Sequence, residues 1–150
     1  MTSLDVYWNK FIKDTHRSPD DKCSGDLNFE ARGFVGDELV SLVLSGKKTA
    51  FFTSWATYSI DKEPLPISGE LYIVVDRANN PRCVIETDSV SIVPFNEVTW
   101  SMAQMEGEDE DLESWKAKKQ EYLEDEGDIL GFEFTPDIKL VFQIFRVIYK

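Results

Sequence analysis

Cysteine and histidine are scarce in this chain. Its 150 residues include two cysteines, Cys23 and Cys83, and one histidine, His16. Two cysteines are too few for a disulfide scaffold. They lie sixty positions apart, with a single imidazole in the whole chain, so no zinc-ligand spacing exists and neither a metal nor another cofactor is expected. His16 sits in a polar loop near Pro19 and reads as a solvated side chain, because a histidine-based nucleophile device needs a third group to orient the base. Cys83 reads as a small buried apolar residue in a strand. Long apolar runs are missing as well. None approaches the ~20 residues that cross a bilayer, so no membrane partner is expected. The opening stretch MTSLDVYWNK has early charges and no apolar core, so the expected setting is a reducing cytoplasm rather than a secretory route. Glycine-rich dinucleotide loops and Walker-type phosphate loops are absent too.

Positive charge is the other shortage. Sixteen basic side chains face 28 acidic ones, for a net charge of −12. That balance excludes a generic polyanion-binding surface, and a DNA duplex with it. The acidity is local, however. Residues 106–128 hold eleven acids against three lysines, whereas residues 1–60 hold eight acids and seven bases. A window of this kind is usually a solvated face. It is also a candidate docking surface for a basic protein partner.

What the chain does have is hydrophobic and aromatic content, 42% and 13%, enough to form a core in one domain. A helix is expected over 3–14, with Ser3 as N-cap and Leu4, Trp8, Phe11 and Ile12 on one face. Residues 16–28 read as a loop. A second helix follows Gly36, with Asp37 as candidate N-cap, and ends at Gly46. From Thr49 the pattern TAFFTSW turns strand-like. The breaker EPLP precedes a hairpin over 70–93 that turns at Asn79, Asn80 and Pro81. Helices are expected over 97–105 and 111–125, the longer one using Leu112, Trp115, Lys119, Tyr122 and Leu123. The chain closes on a strand over Lys139–Tyr149. Strands and helices do not alternate regularly, which favours α+β with an antiparallel or mixed sheet, open or closed into a barrel.

The most informative local feature is the turn Ser45-Gly46-Lys47-Lys48-Thr49. Its cations suit a helix C-terminus. They also suit an anion or carbonyl site, in which a partly desolvated lysine serves as nucleophile, base or oxyanion partner. One carboxylate from the acidic run over 106–111 could work with that lysine. Phe51, Phe52, Trp55 and Tyr58 follow; such aromatics are usually core, but some could stack on a base.

The order LVLSGKKTA, EPLP, LYIVVD, PRCVIET, VPFNEV, EGEDEDLESW, EFTPD and FRVIY resembles the ASCH domain family, in its longer bacterial form. The resemblance runs from about Gly36 to Tyr149. It implies a PUA-like fold, a small β-barrel with helices around it, and an association with RNA. On this resemblance, residues 1–150 are one ASCH domain and 1–35 form an N-terminal helix and loop extension. One small bacterial branch of the family removes the acetyl group from acetylcytidine with a lysine, a threonine and a glutamate. Lys48 matches that lysine and Glu108 the glutamate. The threonine position, third after the lysine, holds Phe51 here, with Thr49 and Thr53 as nearby hydroxyls.

Three readings follow. In the first, the protein binds RNA or a nucleotide- or nucleoside-like ligand in a cleft near Gly46, Lys47 and Lys48, with Phe51, Trp55 or Tyr58 stacking a base. In the second, it is an amidohydrolase acting on acylated nucleosides through Lys48 and Glu108, with Thr49 or Thr53 in place of the missing threonine. In the third, it is a non-enzymatic interaction module that uses the acidic 106–128 surface.

Overall fold

The computed structural model of the protein describes residues 2–29 and 36–150. Five strands form one mixed sheet in the order β1-β3-β4-β5-β2, with β1 at Gly25–Leu27, β2 at Ala50–Ser54, β3 at Leu71–Val75, β4 at Pro81–Pro94 and β5 at Lys139–Tyr149. The helices are α1 at Ser3–Asp14, α2 at Gly36–Leu44, α3 at Trp55–Asp61, α4 at Trp100–Ala103 and α5 at Leu112–Leu130. The chain divides into two compact units. The first holds Met1–Gly46, Ser68–Asp88 and Phe145–Lys150; the second holds Lys47–Ile67 and Ser89–Ile144.

In the first unit, β3 and β4 form the expected hairpin, antiparallel with Ile73 opposite Val84. Phe11 from α1 joins Leu71, Ile73, Val75 and Val84 in its core. The N-cap of α1 is Thr2 rather than Ser3. Thr2 Oγ1 accepts from the Asp5 N–H at 3.1 Å while Asp5 Oδ2 accepts from the Thr2 N–H at 3.0 Å. This reciprocal box satisfies two orphan helix donors, which Ser3 would not do from inside the helix. The expected loop over 16–28 contains β1, which pairs in parallel with β3. Three residues with one apolar side chain carry no period to read, so only the partner strand reveals β1. His16 is exposed, and Cys83 is fully buried in β4. Burial pushes the Cys83 thiol up to about 12. The candidate cap Asp37 falls among residues whose side chains lie outside the described set.

In the second unit, β2 pairs antiparallel with β5, with Phe52 opposite Phe142 and Phe51 opposite Gln143. The strand stops at Ser54, and 55–61 is a helix rather than more strand. Ser54 caps it by accepting the Thr57 N–H, and that local bond outweighs the β preference of Trp55, Thr57 and Tyr58. The expected helix over 97–105 is a 3-10 turn at Phe95–Glu97, then α4, then a second 3-10 turn at Gln104–Glu106. Helix α5 runs longer than expected. Asp111 caps it at 2.7 Å from the Ser114 N–H, and Gly131 ends it at φ +90°. Trp115 is the hub of this unit's core: Phe52 meets it edge-on at 5.1 Å and Phe95 stacks at 5.9 Å.

Candidate functional site

The turn after α2 leads Lys47 outward and Lys48 inward. Lys47 is exposed, whereas Lys48 is 2% exposed. A buried ammonium is stable only with compensation, and the segment around Glu106 provides it. The Thr49 N–H donates to the Met105 carbonyl at 2.8 Å, so the two backbones run close together. Gly107 makes this approach possible. Its φ is +72°, and a Cβ there would lie 2.6 Å from the Lys47 carbonyl oxygen. Only glycine meets both demands.

Gly107 separates two carboxylates with different surroundings. Glu108 is partly exposed, and its Oε2 lies 2.7 Å from Lys48 Nζ. Its Oε1 accepts no hydrogen bond among the described residues. Glu106 is buried, and both its oxygens are occupied. Oε1 accepts from Trp115 Nε1 at 2.6 Å and lies 3.2 Å from Lys119 Nζ. Oε2 accepts the Phe52 N–H at 3.1 Å and lies 3.8 Å from Lys48 Nζ. Burial alone would raise the Glu106 pKa. The Lys119 and Lys48 ammonium groups, with the Trp115 and Phe52 donors, outweigh it and hold the carboxyl below its ordinary range. Lys119 lies over the rings of Trp115 and Tyr122, at 5.6 and 5.8 Å from their centroids. Two lysines and two glutamates therefore balance in charge.

The structure thus brings Lys48 and Glu108 together. Gly46 is exposed at φ +81°. Thr49 is partly buried and joins the 105–108 segment through its backbone N–H. Thr53 lies on β2 opposite Val141 and is 8% exposed. Phe51 is 2% exposed, so as it stands its ring offers no face to a ligand. Trp55 and Tyr58 are on α3 rather than on a strand; Trp55 is 40% exposed, with Lys139 Nζ 5.6 Å from its ring centroid, and Tyr58 is half-buried.

The acidic window is not a uniform solvated face. Glu106 is buried, and Asp109 pairs with Lys118 at 2.9 Å. Glu126 accepts from the hydroxyls of Ser54, Thr57 and Tyr122. The three residues that sequence reasoning missed at this site are Glu106, Trp115 and Lys119. Their signals were the Glu-Gly-Glu step and the Trp115/Lys119 spacing of one helical turn. No group of three or more metal-binding side chains occurs among the described residues, and no helix there is long and apolar enough to cross a membrane.

A mixed five-stranded sheet in this order, with a buried lysine–carboxylate site beside strand β2, defines an α+β protein of the PUA-like class. Two crystal structures share the fold. A protein from Enterococcus faecalis V583, assigned to the DUF984 family, superposes with a TM-score of 0.87 at 30% identity, over 98% of this chain and 88% of that one. The ASCH domain from Lactobacillus crispatus JV V101 superposes with a TM-score of 0.84 at 26% identity, over 99% of this chain and 95% of that one. The ASCH domain family model matches residues 26–149, and the chain belongs to that family. The match begins inside the stretch over 1–35 expected to be an extension. No curated protein matches the sequence.

Proposed function

We propose that this ASCH protein binds a nucleoside-like ligand, free or at an end of single-stranded RNA, through the Lys48–Glu108 pair. The observation that carries the reading is the 2.7 Å contact between a buried ammonium and a partly exposed carboxylate. Glu108 offers its Oε1 as an acceptor, and Lys48, buried behind it, offers a donor when Glu108 turns toward the ligand. That pattern complements a base edge that sets an N–H beside an acceptor atom, N4–H beside N3 on cytosine or N1–H beside O6 on guanine. A phosphate fits less well, because Glu108 would repel it and the four-charge group is already balanced. Of the aromatics, Trp55 has the exposed ring available for stacking. In this reading residues 1–150 act as one domain, with 1–35 as an N-terminal extension, in a cytoplasm that keeps Cys23 and Cys83 as free thiols.

The test is a melting-temperature and NMR panel of nucleosides, nucleoside monophosphates and short RNAs. The expected result is stabilisation by nucleosides that is lost in Lys48→Met and Glu108→Gln. A panel with no shift dependent on both residues overturns the reading.

A second reading, hydrolysis of acylated nucleosides, draws support from the uncommitted Oε1 of Glu108. That oxygen can take a proton from water attacking an amide carbonyl, while Lys48 stabilises the resulting oxyanion and the amine departs with the proton. Thr49 and Thr53 are the threonines closest in sequence to Lys48. Acetylcytidine hydrolysis that persists in Lys48→Ala would sink this mechanism. A docking role for the acidic surface would fall to the exposed Glu113, Glu121, Glu124, Asp125 and Asp128. Co-purification unchanged by neutralising Glu124 and Asp125 would remove it.

A further inference from the structure

Lys48 is shared by two carboxylates that differ in freedom. Glu108 is held through one oxygen, 2.7 Å from Lys48 Nζ, and is partly exposed. Glu106 is held through both: Trp115 Nε1 donates to one at 2.6 Å and the Phe52 backbone to the other at 3.1 Å. Glu106 also reaches Lys48 twice, through its backbone oxygen at 3.4 Å and its Oε2 at 3.8 Å. We infer that Glu106 is a positioning residue, the inner counterion that keeps Lys48 in place when Glu108 turns toward a ligand. The inference rests on the reading of Lys48 and Glu108 as the ligand pair.

The physical case has three parts. A ligand that takes the acceptor of Glu108 weakens that residue's hold on Lys48. An ammonium 2% exposed cannot then turn to water for compensation. It needs a second anion that does not move, and the β2 backbone and the indole of α5 fix Glu106 from two directions. Lys119 sets the strength of that hold. It lies 3.2 and 3.5 Å from the Glu106 oxygens and offsets part of their charge. Lys48 therefore rests nearer Glu108 in the unliganded protein instead of being captured by Glu106. The arrangement lets one lysine exchange partners without ever being unpaired. Neither Glu106 nor Lys119 needs to touch the ligand.

The experiment uses the full chain, with cytidine and N4-acetylcytidine as probes. Glu106→Gln is expected to weaken binding of whichever probe the wild type holds by about tenfold, roughly the effect of losing one charge-assisted contact. The double variant Glu106→Gln/Lys119→Met restores charge balance on the buried side. It is expected to melt near the wild type and still bind about tenfold more weakly. A double variant that binds like the wild type makes Glu106 a packing element and overturns the inference.

A second readout needs no ligand. In Glu108→Gln, Lys48 is expected to move onto Glu106, and the Trp115 indole N–H resonance should shift as its acceptor changes. An unmoved resonance overturns the shared-lysine arrangement. A wild type that binds neither probe, together with a shifted indole in Glu108→Gln, overturns the proposed ligand class and leaves the role of Glu106 standing.

Discussion

The two compact units use charge in opposite ways. In the first, ionic groups lie on the outside. Lys10 pairs with Asp14 at 2.8 Å and reaches the Tyr149 hydroxyl, and Arg146 bonds Glu86 across neighbouring strands with Asp88 close by. These groups cover a core that is already complete in Phe11, Ile73 and Val84. In the second unit, Lys48 and Glu106 are built into the interior with Glu108 and Lys119 partly exposed beside them, and the backbone of β2 and the indole of Trp115 depend on Glu106 as partner. Water screens the first kind of charge and can replace either partner. It can do neither for the buried Glu106, so losing that carboxylate leaves its buried donors without their acceptor.

Substitutions that cut across this contrast should separate the units by size of effect. Glu106→Ala removes the carboxylate partner of Lys119 and the acceptor of an indole N–H and the Phe52 N–H, and leaves Lys48 to Glu108. It should cost about 3–5 kcal/mol, read as a fall in the urea midpoint. Gly107→Ala places a methyl group against the Lys47 carbonyl in a left-handed turn. It should cost about 1–3 kcal/mol in the same measurement and reduce any dependence of nucleoside binding on Lys48.

Acid should act through the same group. The folded pKa of Glu106 is depressed, so its contribution to stability is fully present above the unfolded carboxylate value of about 4.3. It is lost as pH falls through the lower folded value. The acid limb of a stability-against-pH curve should therefore be shallower in Glu106→Gln than in the wild type. A limb of unchanged slope would mean that folding leaves the Glu106 pKa where it lies in the unfolded chain. At the small end, Arg146→Ala should leave the urea midpoint unmoved and change only the salt dependence. A clear drop would break the contrast between the units.

How much of this was legible in the sequence follows the range of the forces involved. The β3–β4 hairpin and strand β5 declared themselves through β-branched runs and an Asn-Asn-Pro turn. Helix α3 did not, because its residues favour strand and its start depends on one Ser54 side chain. At the site, Lys48 and Glu108 were reached through family resemblance, and the structure sets them 2.7 Å apart. Glu106 looked like any other member of an acidic run. Its burial depends on Gly107 turning left-handed and on Trp115 returning nine residues later to meet its oxygen. Both are three-dimensional coincidences that composition and periodicity do not encode.

The burial of Cys83 has a practical consequence. With its thiol fully enclosed and its ionisation pushed up to about 12, the folded hairpin presents almost no thiolate to an alkylating reagent at neutral pH. Modification at Cys83 must wait for β4 to separate from its neighbours. The side chain is a built-in chemical clock for opening of the first unit, and its labelling rate counts excursions that no equilibrium melt would resolve.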